Sequence, residues 1–245
     1  KSLESKEKVQ NVCRYIKKIY KKDKKIILVV SAMGKTTDEL IQIANTFCDD
    51  CHDAREMDVL LSTGETMSAS LVSMMLNSIN IPAKSFQAFQ LNIKTFGSHQ
   101  SSRITSINKK PLLDCFENGH VAVVPGFQGI NQENGTTTLG RGGSDTTACA
   151  LAAVFDVPVE IYSDFDGVFA GDPRELDFKK LKSVNYDIMK KMAEAGAKVL
   201  DSRATTIAKD FNIKIISKSS TEPHKHGSEI SSLESDTTAL CNIDN

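Results

Sequence analysis

Apolar residues recur at helical spacing at Val9, Val12, Cys13, Ile16, Ile19 and Tyr20. After the polar run Lys21 to Lys25 comes the unbroken apolar stretch Ile26-Ile27-Leu28-Val29-Val30. The first pattern predicts an amphipathic helix and the second a buried strand. The alternation continues with helical patterns over 37–47, from Ser62-Thr63-Gly64-Glu65 to about Ile79, over 145–155 and over 185–195. Strand-like runs fall at 121–124, 159–162 and 213–216. Strands alternating with helices imply an α/β fold, with a mostly parallel central sheet sandwiched between helices. From Thr221 the chain turns polar, with Ser228, Ser231, Ser232 and Ser235 around thinly spread Ile230, Leu233 and Leu240. Residues 1–220 therefore read as the folded domain and 221–245 as an exit segment or linker.

A chain of 245 residues can bury a large core, and one domain is the starting expectation over two small lobes. No apolar run approaches the roughly 20 residues that cross a bilayer, so a membrane partner is not expected. With 30 basic against 31 acidic side chains the net charge is -1, which gives no field to hold a nucleic acid. Six scattered cysteines and no secretory signal at the start suit a reducing, cytoplasmic setting. Cys48-Asp49-Asp50-Cys51-His52 has the C-x-x-C-H spacing of haem attachment, but it closes a helix-like stretch and reads better as a solvated loop. The lysines from 21 to 25 could form an anion-binding edge. The plainer reading is the wet C-terminal end of a helix, where positive charge is favoured. The chain opens on Lys1-Ser2-Leu3 without an initiator methionine, as a fragment would.

The densest chemical signal is Leu139-Gly140-Arg141-Gly142-Gly143-Ser144-Asp145-Thr146-Thr147-Ala148, a glycine-rich turn entering a helix. Glycines let the backbone approach a ligand closely, and free N–H groups at the helix start favour an anion. Arg141 adds a planar fork suited to a carboxylate. A mere helix cap would need Ser144 or Asp145 but not the whole cluster. A second signal, Ser163-Asp164-Phe165-Asp166-Gly167-Val168-Phe169-Ala170-Gly171-Asp172-Pro173-Arg174, follows a strand. Ligands of open α/β sheets gather at such strand ends, although Asp-Gly and Asp-Pro are also ordinary turn chemistry. Gly34-Lys35-Thr36 imitates the end of a Walker A loop, but Val29 stands where that motif needs glycine.

These segments, with Val30-Ser31-Ala32-Met33-Gly34-Lys35-Thr36-Thr37-Asp38-Glu39-Leu40, Ser62-Thr63-Gly64-Glu65 and Pro125-Gly126-Phe127-Gln128-Gly129, resemble the aspartokinases of the amino acid kinase family. The resemblance runs from about Ser2 to Ser220. It implies transfer of the γ-phosphoryl group of ATP, with Mg²⁺, to the β-carboxylate of L-aspartate. That reaction gives 4-phospho-L-aspartate in the first step of aspartate-derived amino acid synthesis, including lysine and threonine. It also implies a cytoplasmic enzyme that forms homo-oligomers.

By the same resemblance Arg141 grips the α-carboxylate of aspartate and Glu65 receives its ammonium group. Thr37, Phe127, Gly142, Gly143 and Ser144 shape that pocket, and Asp145 is the active-site aspartate. A plainer role for Glu65 is that of an acid at a helix N-terminus. Ser163, Asp164, Phe169, Ala170, Gly171, Asp172, Pro173 and Arg174 would line the ATP site, with Lys198 nearby. Phe169 stands where the family often has tyrosine. The family's opening Lys-x-Gly-Gly-Thr/Ser-Ser loop falls within this sequence only in its last positions, and the family's regulatory ACT domains are expected outside it. A polypeptide of these residues alone is therefore expected to be inactive. The alternatives are a non-catalytic module binding aspartate and nucleotide, or a related kinase acting on another carboxylate.

Overall fold

The computed structural model describes residues 3–48, 53–171, 178–194 and 200–233. Instead of the single domain expected, the chain forms two compact units, one over 3–147 and one from Ala148 onward. Each has an apolar core of its own.

In the N-terminal unit, helix α1 (Lys6–Ile19) starts at Ser5, whose side chain accepts a hydrogen bond from the Lys8 N–H, and buries Val9, Cys13 and Ile16. It leads into β1 (Ile27–Val30), and Lys21 to Lys25 between them are exposed, so the solvated reading of that run stands. Then come α2 (Thr36–Phe47), α3 (Ala54–Ser78), β2 (Ala83–Ser85), β3 (Lys94–Phe96), β4 (Arg103–Ser106) and α4 (Lys110–Glu117). The fully buried β5 (Val121–Pro125), β6 (Gln128–Ile130) and β7 (Thr136–Thr138) precede α5 (Gly143–Phe155). The boundary between the units falls within α5. Strands β1, β5 and β2 form a parallel sheet with β5 central. A second sheet, β4-β3-β6-β7, is mixed. Leu3, Val9, Ile16, Val30, Val72, Leu76 and Val123 meet in this unit's core.

Helix α3 departs from expectation twice. It begins at Ala54, where the Asp53 carboxylate accepts from the N–H groups of Arg55 and Glu56, so Ser62-Thr63-Gly64-Glu65 lies inside the helix rather than at its start. The helix-terminus role for Glu65 is thereby removed. By length and composition an 18-residue stretch of α3, with a mean hydropathy of 1.3, is also apolar enough to cross a membrane, contrary to the reading that no stretch qualified. Half of that apolar stretch is buried inside the protein, and α3 packs on α1, α2, β1, β2, β5 and β7. It also buries Asp58 and Glu65, as a core helix with internal polar work does.

In the C-terminal unit come β8 (Val159–Ser163), β9 (Val168–Phe169), β10 (Lys180–Leu181), β11 (Ser183–Asn185), α6 (Tyr186–Glu194), α7 (Ser202–Asp210), β12 (Ile215–Ser219) and β13 (Ser228–Ser231). The sheet order is β11-β13-β12-β8, with β8 and β11 parallel to their neighbours and β12 antiparallel to β13. Ile161, Val168, Leu181, Val184, Met189, Ile215 and Ile230 fill its core. The polar tail read from Thr221 as an exit segment therefore contains an interior strand. Its serines escape the usual cost of burial because they are bonded: Ser228 Oγ donates to the Leu181 carbonyl at 2.5 Å and accepts from the Val168 N–H at 2.8 Å.

Both units combine parallel strand pairs with helices, as the α/β reading expected, and both also contain antiparallel pairs. Cys48 is exposed just beyond α2, while Cys51 and His52 lie outside the described residues. Cys13, Cys115 and Cys149 are buried free thiols, and burial pushes Cys13 up to about 11.

Candidate active site

In the N-terminal unit the carboxyl ends of β1 and β5 lie side by side, where the Gly126 N–H donates to the Val30 carbonyl at 2.9 Å. Ala32, just past β1, donates its N–H to Glu65 Oε1 at 3.0 Å. Gly64 makes that approach of α3 possible. A Cβ there would stand 3.0 Å from the Ala32 Cβ and 3.5 Å from Thr36 Cγ2. Glu65 is only 5% exposed, and its other oxygen, Oε2, is buried with no hydrogen-bond partner. Burial pushes its carboxyl up to about 7, with the Ala32 N–H pulling the other way. A buried carboxylate oxygen left bare costs free energy unless a cation or donor completes it. Thr37 is half-buried in the first turn of α2, beside this point in sequence.

The turn between β5 and β6 meets the start of α5 at very short range. A Cβ on Gly126 would lie 2.7 Å from the Ser144 side chain, and one on Gly143 would lie 2.8 Å from the Phe127 ring. Phe127 itself has φ of 70°, a backbone state costing a bulky residue about 1 kcal/mol or more. Two bonds hold it there: its N–H donates to Thr147 Oγ1 at 3.1 Å, and its carbonyl accepts from the Leu139 N–H at 2.8 Å. Arg141 is exposed on the turn between Gly140 (φ 76°) and Gly142 (φ 69°), and Asp145 is half-buried in the first turn of α5. Close contacts thus link Glu65 to the end of β1, and Phe127, Gly143 and Ser144 to the end of β5.

Reading along the chain did not find Asp58, the most fully satisfied acid in this region. It is 0% exposed and accepts from Thr138 Oγ1 at 2.5 Å, from the Gln100 N–H at 3.1 Å, and bonds His99 Nδ1 at 2.6 Å. Gln128, also missed, donates its side-chain amide to the Ser62 carbonyl at 3.0 Å. No local pattern reveals the bonding role of either residue, because their partners lie far away along the chain.

In the C-terminal unit Ser163 ends β8 beside Ser219 at the end of the parallel β12. Ser163 Oγ closes a turn over Phe165, accepting its N–H and donating to its carbonyl, both at 3.2 Å. Asp164 is exposed, while Phe169, Ala170 and Gly171 are half-buried on and after β9. A Cβ on Gly171 would lie 2.4 Å from the Phe178 ring, and one on Gly167 would lie 2.4 Å from Ser228 Oγ. Lys180 Nζ secures the loop through Asp166 Oδ2 at 3.1 Å and the His226 carbonyl at 3.0 Å. Asp172, Pro173, Arg174 and Lys198 lie outside the described residues. Among the described residues no three His, Cys, Asp or Glu side chains gather as a metal cluster.

Residues 1–217 match the model of the amino acid kinase family. The chain belongs to the amino acid kinase family. This family member is 43% identical over 223 residues to aspartokinase 2 of Bacillus subtilis, a match covering 90% of this chain and 54% of that protein. It is 41% identical over 222 residues to the aspartokinase of Corynebacterium glutamicum, covering 89% of this chain and 52% of that protein. The chain therefore spans about half the length of these curated relatives. The crystal structure of aspartate kinase from Synechocystis matches with a TM-score of 0.79 at 36% identity, over 95% of this chain and 39% of that one. E. coli aspartokinase III in complex with aspartate and ADP matches with a TM-score of 0.85, over 96% of this chain and 63% of that one. At 21% identity the latter bears on the fold alone.

Proposed function

We propose that this chain is the catalytic region of an aspartokinase, transferring the γ-phosphoryl group of ATP to the β-carboxylate of L-aspartate. The observation that carries the reading is Glu65, a buried carboxylate with one oxygen held by the Ala32 N–H and the other bare. An ammonium group supplies both the charge and the donor that such an oxygen lacks. The glycine-rich turn supplies the complement, with Arg141 as a planar fork for the α-carboxylate. A cation for one end and an anion for the other recognise an amino acid by its backbone, leaving the side-chain carboxylate free to react. Thr37, Phe127, Gly142, Gly143 and Ser144 shape the pocket, and Asp145 orients groups around the transfer.

In the reaction a β-carboxylate oxygen of aspartate forms a bond to the γ-phosphorus as the bond to the bridging oxygen breaks. ADP leaves with that electron pair, and the product is 4-phospho-L-aspartate. Little covalent chemistry is asked of the protein, so positioning and charge dominate. Nucleotide binding is assigned to Ser163, Asp164, Phe169, Ala170 and Gly171, at and after the end of β8, and to Asp172, Pro173, Arg174 and Lys198. Mg²⁺ suits a chain offering single carboxylates such as Asp145 and Asp164, since it takes its remaining ligands from phosphate and water. When bound it neutralises phosphate charge. The same reading places the protein in the cytoplasm as a homo-oligomer, opening aspartate-derived amino acid synthesis, including lysine and threonine.

A coupled assay of ADP release by the full-length protein, with aspartate, glutamate and acetylglutamate as acceptors, tests this. Aspartate is expected to be preferred. Preference for either of the others overturns the substrate assignment and leaves the family membership intact.

A further inference from the structure

Asp58 and Glu65 are seven residues apart on α3, close to two full turns, so both point from the same face about 10 Å apart along the axis. Between them, one turn past Asp58, the Ser62 carbonyl accepts the Gln128 side-chain amide at 3.0 Å. Gln128 and Thr138 are direct partners in the β6–β7 pair. Helix α3 therefore grips both members of a single cross-strand pair: Thr138 through Asp58, and Gln128 through Ser62.

Each gripped residue adjoins the binding turns. Gln128 follows Phe127, and Thr138 precedes Leu139-Gly140-Arg141. The Phe127 carbonyl accepts the Leu139 N–H at 2.8 Å, closing the end of the pair. On the other side the Thr138 carbonyl accepts the Ser102 N–H at 3.1 Å, while Asp58 holds His99 and Gln100 of the same β3–β4 turn. Thr138 is thus clamped at its hydroxyl and its carbonyl and is fully buried. A buried carboxylate with every oxygen bonded is a rigid anchor, because moving any partner exposes an unpaired charge.

We infer that Asp58, acting through Thr138, is a positioning residue for amino acid recognition, fixing the strand that delivers Arg141 to the same helix that carries Glu65. One rigid helix then serves as a ruler for the spacing between the cation-binding and anion-binding ends of the site. The inference rests on the proposed roles of Glu65 and Arg141. It adds a residue that touches no substrate and accounts for a buried acid that those roles do not use.

The test is steady-state kinetics of the full-length protein, varying aspartate and ATP in turn. Thr138→Val keeps the shape and removes only the hydroxyl that Asp58 holds. It is expected to raise the aspartate KM about tenfold, with the ATP KM within about twofold, since the lost bond goes to a charged group and sets substrate geometry. Thr138→Ser, which keeps the hydroxyl, should return the aspartate KM to near the parent value. An aspartate KM unmoved in Thr138→Val, or equal loss for both substrates, overturns the inference. Should Thr138→Val fail to fold, His99→Ala carries the test from the partly exposed side of the cluster, with the same selective rise expected and the same outcomes overturning it. Glu65→Gln run in parallel separates the two failures. If it raises the aspartate KM and Thr138→Val does not, only the positioning role falls. If neither does, the amino acid site itself is misassigned.

Discussion

Asp58 and Glu65 are two acids of comparable burial on one face of one helix, yet they are treated oppositely. Asp58 accepts from a hydroxyl and a backbone N–H and pairs with an imidazole nitrogen, while Glu65 accepts from one backbone N–H and leaves an oxygen bare. A protein that satisfies one buried carboxylate completely had the means to satisfy the other. Under the proposed function, the difference separates an acid whose partners are built into the chain from one whose partner arrives with the ligand.

The largest expected consequence lies on the satisfied side. Asp58→Ala strands the buried Thr138 hydroxyl and removes the acceptor of the Gln100 N–H, and should lower the unfolding free energy by about 3 kcal/mol or more. Chemical denaturation would show it as a fall in midpoint. A variant as stable as the parent would erase the contrast between the two acids.

Glu65 should behave in the reverse sense. Its carboxyl is pushed up to about 7 from an ordinary 4.5, so between those values the folded state keeps a proton that the unfolded state has lost. Stability of the ligand-free protein should therefore fall as pH rises through that window and level off above it, by about 3 kcal/mol in total. Glu65→Gln should flatten this slope and match or exceed the parent's stability at pH 8, while binding aspartate far more weakly. The proposed role of Glu65 requires its ionised carboxylate for aspartate binding, so the aspartate KM should improve from pH 6 to pH 8. Thermal melts across pH, with and without aspartate, check both halves.

A smaller effect is expected at the other end of the site. Arg141→Lys keeps the charge but loses the two-pronged plane, and should raise the aspartate KM about tenfold with turnover falling and ATP binding little changed. Unchanged aspartate kinetics would return Arg141 to the role of a turn residue.

Much of this arrangement was legible in the sequence where a residue type answers a local demand. Gly140 and Gly142 do adopt positive φ, and Gly126 and Gly143 do sit where no side chain fits. Helices such as α1 announced themselves because their buried residues form an apolar stripe. Helix α3 was legible only from Ser62 onward, since its buried residues include Asp58, Ser62, Gly64, Glu65, Ser68 and Ser73 beside the apolar ones, and its first turns from Ala54 were assigned to no element. Strands β2, β3, β6 and β7 are three residues each, too short for a period to show. Asp58 stayed hidden because Thr138 lies 80 residues away, a pairing that only the folded chain displays.

The strand order of the C-terminal unit also bears on how the chain comes off the ribosome. Strand β13, the last among the described residues, is inserted between β11 and β12, and β11 pairs with it. The parallel pair β8 and β12 can form as soon as Ser219 has emerged, but β11 has to wait for Ser228 to Ser231. Until then the nascent chain carries an unfinished sheet edge, the kind of surface that chaperones cover. Translation speed after Thr221 thus sets how long that edge stays open.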